Sequence, residues 1–144
     1  MLFIGLDDTD NLESRGTGHL ARGIAAALAA EYPMLGVTRH QLLVDPRVPC
    51  TKNNSCAAIA VEANGDADPN ALLERVRQWM LDDFQPGSDP GLCVAHTVPA
   101  AITEFGRQVQ RHLVTQRDAR SLAHTHGIPL EGLGGDQDGV IGAL

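Results

Sequence analysis

The chain has 144 residues, and 18 Asp and Glu against 11 Lys and Arg leave a formal net charge of −7 with His neutral. This length predicts one domain with a real core and no room for two ordinary ones, and 43% hydrophobic with 20% charged residues excludes a disordered chain. The acidic balance and only five aromatic residues (Phe3, Tyr32, Trp79, Phe84 and Phe105) argue against nucleic-acid binding without a local basic patch or a partner domain.

No apolar run approaches the ~20 residues of a membrane span. The start, Met1-Leu2-Phe3-Ile4-Gly5, lacks a basic segment and soon reaches Asp7, so it does not read as a signal peptide. Cys50, Cys56 and Cys93 are odd in number and form no C-x-x-C, which points to reduced thiols in the cytoplasm and not to disulfides or zinc.

In chain order, Leu2 to Leu6 is a continuously apolar run, as expected of a strand buried on both faces. The polar segment from Asp7 to Gly16 follows as a loop. A helix opens near Thr17, with Leu20, Ile24 and Leu28 recurring at four-residue spacing among alanines. Val37 to Val44 reads as a second strand, residues 45 to 55 as a loop, and Ala57, Ile59 and Val61 as the alternating positions of a third strand. Asp68-Pro69 is a helix start, with Asp as N-cap and Pro at the first helical position; Leu72, Val76 and Met80 or Trp79 supply that helix's apolar stripe. Leu92 to Ala95 is a short fourth strand.

Strand, helix, strand, strand, helix, strand is the order of a ferredoxin-like, split βαβ core of the α/β (α+β) class. Additional C-terminal helices follow. Ile102, Phe105, Val109 and Leu113 mark a third helix, and Thr115 caps a fourth that holds Leu122 and stops at Gly127. Ile128 to Leu130 is a short extended piece. A Gly-rich loop from Gly132 to Gly139 then enters the apolar run Val140 to Leu144, where the sequence stops. A helix ending on its own apolar stripe would leave a ragged core, so the expectation is a longer parent protein or a disordered tail.

Asp7-Asp8-Thr9-Asp10 carries the strongest local signal. Three carboxylates this close repel one another unless a cation shares them. Hard oxygen ligands at a strand end suit Mg²⁺, which takes one or two carboxylates and leaves its other positions to water and phosphate. Asp7, Asp8 and Asp10 are therefore the candidate metal residues; the plainer reading is a solvated acidic turn in which Asp10 or Asn11 bonds the local backbone. Gly16-Thr17-Gly18 enters the first helix, where free N–H groups attract anions and glycines let a phosphate approach. Thr17 is then either a simple N-cap or a hydroxyl beside a bound phosphate.

The 132–139 loop, with Gly134, Gly135 and Asp138, offers a second anion-binding turn at a helix start. Lys52 is the one lysine beside ten arginines; it is either a loop cation reaching a phosphate or an exposed residue on a turn. His124 and His126 point in different directions on a helix, as surface residues would. His19 either lines the site or covers it. No Cys/His spacing points to a cysteine nucleophile.

Ile4-Gly5-Leu6-Asp7-Asp8-Thr9-Asp10, a gap, then Arg15-Gly16-Thr17 with an Ala-rich helix resembles the N-terminal kinase-like domain of the archaeal tRNA 2-agmatinylcytidine synthetase family, which modifies an isoleucine tRNA. Leu43-Val44-Asp45-Pro46-Arg47-Val48-Pro49 is similar to the family's "L-N-P-x-I-P" segment, and Asp138-Gly139-Val140-Ile141-Gly142-Ala143-Leu144 to its "G-x-I-G-A-L". The matches are short but co-linear over nearly the whole chain, residues 1 to 144.

The resemblance implies a single kinase-like domain, truncated or stand-alone, that performs ATP-dependent phosphoryl transfer. It implies that the acidic motif serves Mg-ATP and that the threonine matching Thr17 becomes phosphorylated. On that footing Asp7, Asp8, Thr17 and Lys52 are the expected catalytic residues, and Gly16, Gly18, Gly134, Gly135 and Asp138 hold the cofactor. One loop departs from the family: where it has "K-T-R-G-N-G", this chain reads Thr51-Lys52-Asn53-Asn54-Ser55-Cys56, without the arginine and both glycines. The family's tRNA-reading OB-fold and zinc-ribbon modules are not expected in these 144 residues, which offer no Cys pairs or further length for them.

Two functions stay open. The first is a Mg²⁺- and ATP-dependent kinase-like or ligase-like enzyme acting on a small molecule, an amine or a nucleoside-type acceptor. The second is a non-catalytic nucleotide- or metabolite-binding regulatory domain. A cytoplasmic location, a homodimer, no membrane contact and no nucleic acid without a partner domain complete the expectation.

Overall fold

In the computed structural model, which describes residues 1–144, the first strand β1 (Leu2–Asp7) is the centre of a five-stranded sheet. After it come α1 (Thr17–Leu28), β2 (Met34–Gln41), β3 (Ser55–Val61), α2 (Pro69–Asp82), β4 (Gly91–Ala95), α3 (Ala100–Val109), α4 (Gln116–Thr125), β5 (Leu130–Gly132) and α5 (Val140–Ala143). The strand order is β2-β3-β1-β4-β5 and every neighbouring pair is antiparallel. Its first six elements form the expected ferredoxin-like core, a mixed α/β arrangement. The extended piece after Gly127 becomes β5 and lengthens the sheet beside β4. No helix is long and apolar enough to cross a membrane.

Register explains the two faces. Leu2, Ile4 and Leu6 lie opposite Val61, Ile59 and Ala57 on β3, and Ile4 and Leu6 also lie opposite Val94 and Leu92 on β4. With a period of two, all of these share one face. There they form the main core with Ala21, Ile24 and Leu28 of α1 and Leu72, Val76 and Met80 of α2. Asp68 caps α2 as expected, its side chain accepting the Asn70 N–H at 2.9 Å.

The opposite face carries Gly5 and Asp7, and α5 rests directly on it. A Cβ at Gly5 would collide with the Ala143 carbonyl, and one at Gly91 with the backbone of Gly139 and Val140. Leu42, Cys56, Phe105, Val109 and Ala119 build a second core there, joined by Ile141 and Leu144. The apolar run expected to leave a ragged core is thus packed, with Val140 fully buried. This double covering is why β1 reads as a continuous apolar run.

Three local expectations shift. The second strand begins at Met34, not Val37, and ends at Gln41, with an irregularity between Met34 and Gly36. The third helix ends at Val109, where Arg111 and His112 donate back to the Gln108 carbonyl at 2.9 and 2.7 Å; this turn carries Leu113 out of the stripe. In the fourth helix, Thr115 forms the expected cap as part of a capping box with Asp118, but Ala119 and Ala123 are buried instead of Leu122.

Candidate functional site

At the end of β1 the chain leaves the sheet through Asp8, whose φ of +51° lies in the left-handed region that a short polar side chain tolerates. Asp7 therefore stays on the sheet face beneath α5 while the following carboxylates swing away from it. Its carboxyl is pressed against Gly142, where a Cβ would collide with it. Burial, with the Asp8 and Asp10 charges added, pushes Asp7 up to about 7 against the opposing effect of the Asp8 N–H.

Asp8 is pushed up to about 6, first by partial burial and then by the charges of Asp89, Asp10 and Asp136. The tetrad is thus joined by two aspartates from distant segments. Both carboxyls are raised first by burial, with neighbouring carboxylate charge adding to it.

These residues line a cavity of about 210 Å³. Asp7, Asp8, Asp10, Asp89, Asp136 and Asp138 supply its acidic part, and Leu42, Leu43, Val48, Val109, Leu113 and Ile141 an apolar part. A second cavity, of about 840 Å³, adjoins it and shares Asp8, Asp10 and Asp89. Asp10 Oδ2 accepts the Thr51 hydroxyl at 2.9 Å, which ties the 45–55 loop to the acidic loop.

Asp7, Asp8, Asp10 and Asp138 therefore line one cavity, but not as a ready triad. No three His, Cys, Asp or Glu side chains converge closely enough to hold a metal ion, because Asp7 is retained under α5 and Asp10 is drawn to Thr51. The donor set nevertheless fits a hard divalent cation held by one or two carboxylates.

The other expected residues are placed differently. Gly16, not Thr17, is the N-cap of α1. Thr17 is buried and lines neither cavity; its Oγ1 accepts the N–H and hydroxyl of Thr9 at 3.4 and 3.1 Å. Gly16 lies beside the Asp10 carboxylate, whereas a side chain at Gly18 would meet only the end of Arg22.

The Gly-rich loop is not an open anion cradle. The Asp136 N–H donates to Asp89 Oδ1 at 2.8 Å and the Asp138 N–H to Asp136 Oδ1 at 2.9 Å, so the chain's own carboxylates take those donors. Gly135, at φ +58°, makes room for Asp89, and Gly134 for the Phe84 ring. Lys52 is exposed and lines neither cavity, although Thr51 and Asn53 beside it do line the first.

The cation missed from the sequence is Arg47, which lines the first cavity and grips Asp45 with Nε and Nη2, each at 2.8 Å. This pairing holds the Asp45 carboxyl well below the usual range. Asp89 and Asp136 escape sequence reasoning because no local pattern marks them; only the fold brings them to Asp8. His19, His124 and His126 are exposed. Burial pushes the Cys56 and Cys93 thiols up to about 12, which removes them as nucleophiles.

Sheet order, double covering and acidic cleft define a mixed α/β domain with a ferredoxin-like core and its site at the end of the central strand. No protein-family model matches the chain. It is nonetheless a homologue of the tRNA 2-agmatinylcytidine synthetases, TiaS, as the sequence motifs implied. Identity to the Methanopyrus kandleri protein is 31% over 148 residues, covering 100% of this chain and 33% of that protein. Identity to the Cenarchaeum symbiosum protein is 27% over 154 residues, covering 99% and 32%. The chain thus spans about a third of the length of these relatives.

The fold matches a crystal structure of TiaS in complex with its tRNA and ATP with a TM-score of 0.83, at 20% identity over 99% of this chain and 34% of that one. A TiaS complex with tRNA, AMPCPP and agmatine matches with a TM-score of 0.80, at 19% identity and the same coverage. Those longer chains are seen with tRNA, so the expectation that nucleic acid is an improbable partner gains no support from them.

Proposed function

We propose that this chain is a single ATP-binding, Mg²⁺-dependent phosphoryl-transfer domain of the ligase-like kind, acting on a small-molecule or nucleoside-type acceptor in the cytoplasm. The observation that carries this reading is the convergence of Asp8, Asp10, Asp89 and Asp136 on one cleft, where burial and then the neighbouring carboxylates push Asp8 up. Phosphoryl transfer consists largely of positioning and charge neutralisation, and a cleft of this charge needs a divalent cation before it can accept a polyphosphate.

Asp8 and Asp10 would hold Mg²⁺, which when bound offsets the negative charge of the phosphates. Asp7 tunes the field from beneath, and Arg47, held by Asp45, is a cation lining the same cleft. The N-terminus of α1, beside Asp10 at Gly16, offers free N–H donors to an anion. The second cavity, bordered by Asp8, Asp10, Glu13 and Asp89, suits a cationic acceptor such as an amine. Related TiaS chains that hold ATP, or AMPCPP with agmatine, support the same reading.

One observation favours the non-catalytic alternative. Thr17, the expected phosphoacceptor, is buried with its oxygen already accepting two hydrogen bonds. Calorimetry with MgATP tests nucleotide binding: Asp8→Asn is expected to weaken it at least ~10-fold, since a charged partner is lost, and equal affinity in wild type and variant would count against the proposal. Retained binding without any phosphoryl transfer from labelled ATP to protein, water or added amine would leave the regulatory reading in its place.

A further inference from the structure

We propose that residues 44 to 53 form a strap latched against the acidic cleft by the Thr51–Asp10 hydrogen bond, and that uptake of a divalent cation by Asp8 and Asp10 breaks this latch. The coupling rests on the Mg²⁺-dependent reading above and adds a moving part to it. The strap is closed at its base, where the Leu42 N–H donates to the Asn54 carbonyl at 2.8 Å and Asn54 Nδ2 to the Leu43 carbonyl at 2.7 Å. Beyond that base little holds it. The Val48 N–H and the Arg47 side chain bond to Asp45, inside the strap itself, and no strap residue belongs to either core. The Thr51 hydroxyl, donating to Asp10 Oδ2 at 2.9 Å, makes the one hydrogen bond from the strap to the rest of the chain.

The strap's tip stands where the two cavities meet, since Pro49, Cys50 and Thr51 line both, as do Asp8, Asp10 and Asp89. The bond that ties the tip down also holds Asp10 away from Asp8. Neighbouring carboxylates converge only when a cation offsets their repulsion, and no three potential ligands converge in this cleft. An ion shared by Asp8 and Asp10 therefore has to draw Asp10 off Thr51, and the strap then loses its single tie. Such exclusion is reciprocal. The latch weakens cation binding by the same factor with which the cation favours the open strap.

Lys52 lies exposed on the strap and is the chain's one lysine. A lysine-specific endoproteinase acting on the folded full chain therefore reads strap opening at a single bond, Lys52–Asn53. Mg²⁺ is expected to speed this cleavage in wild type. Thr51→Val keeps the side chain's shape but lacks the donor. Without Mg²⁺ it should be cut ~3- to 30-fold faster than wild type, the range set by one hydrogen bond to a charged acceptor, and added Mg²⁺ should change its rate little. In calorimetry the same variant should bind Mg²⁺ more tightly than wild type, by up to that factor. Thr51→Ser retains the donor and should match wild type in both assays. A Thr51→Val chain cut at the wild-type rate, or binding Mg²⁺ no more tightly than wild type, overturns the latch and leaves the Mg²⁺ reading standing. Protection of the wild-type strap by Mg²⁺ overturns it equally. If Mg²⁺ binds neither protein, the metal-dependent reading fails and the coupling falls with it.

Discussion

Asp7→Asn separates the electrostatic cost of the site from its packing, because the amide keeps the shape of the carboxyl and cannot ionise. Asp7 is only 8% exposed, and burial is the main cause of its rise from 3.8 to about 7. The folded chain therefore binds this proton more tightly than the unfolded chain. The stability attached to the protonated carboxyl is complete below pH about 4, declines as the pH rises toward 7, and is gone above that. At 1.36 kcal/mol per pH unit, the whole effect is on the order of 4 kcal/mol. About 1.5 kcal/mol of it is already lost by pH 5 and about 2.5 kcal/mol more disappears between pH 5 and pH 8. Urea denaturation of both proteins at these two values reads the difference directly, and comparison with the variant cancels the other titrating groups. Asp7→Asn should gain about 2.5 kcal/mol relative to wild type on going from pH 5 to pH 8. A stability difference between the two proteins that is the same at both values would show that Asp7 is not held in a charge-averse setting.

Gly5→Ala should lose ~1–3 kcal/mol in chemical denaturation, because its Cβ meets the Ala143 carbonyl. Gly23→Ala, within α1 and with nothing near its Cβ, should gain about 0.5–1 kcal/mol in the same assay. Arg47→Ala should weaken MgATP binding more than Lys52→Ala in a titration, since only Arg47 lines the cleft; the reverse order would restore Lys52 to the site. Thr51→Val should lose ~1–2 kcal/mol of stability with the hydrogen bond to Asp10.

Where elements announce themselves by local chemistry, the sequence is readable. The apolar run of β1, the Asp68-Pro69 start of α2 and the Thr115 cap of α4 each follow from a few adjacent residues. The second strand is harder to place because it lies at the sheet edge, where exposure blurs alternation, and because Leu42 continues the apolar pattern while packing into the second core. Leu113 reads as the next turn of α3 because it is apolar and four residues beyond Val109, yet the chain has already turned. The site divides the same way. Asp7, Asp8 and Asp10 stand out as neighbours in the chain, whereas Asp89 and Asp136 are placed only by the loop before β4 and the loop after β5. The Gly-rich stretch is visible, but its role is not: whether its N–H groups face solvent or an internal carboxylate depends on where Asp89 falls.

The C-terminal run shows how packing and electrostatics are one problem here. α5 covers Asp7 only because Gly5, Gly91, Gly139 and Gly142 lack side chains at the points where helix and sheet meet. A methyl group at Gly142 would run into the Asp7 carboxyl and Leu42, so α5 would have to lift. Lifting it would admit water to Asp7 and return its carboxyl toward the ordinary range, since burial is the main cause of the rise. The buried carboxyl thus depends on glycines at the far end of the chain as much as on its own position in β1. Gly142→Ala is accordingly expected to reduce the stability at pH 5 while flattening its decline toward pH 8. A variant destabilised equally at both values would separate the helix's packing role from its control of Asp7.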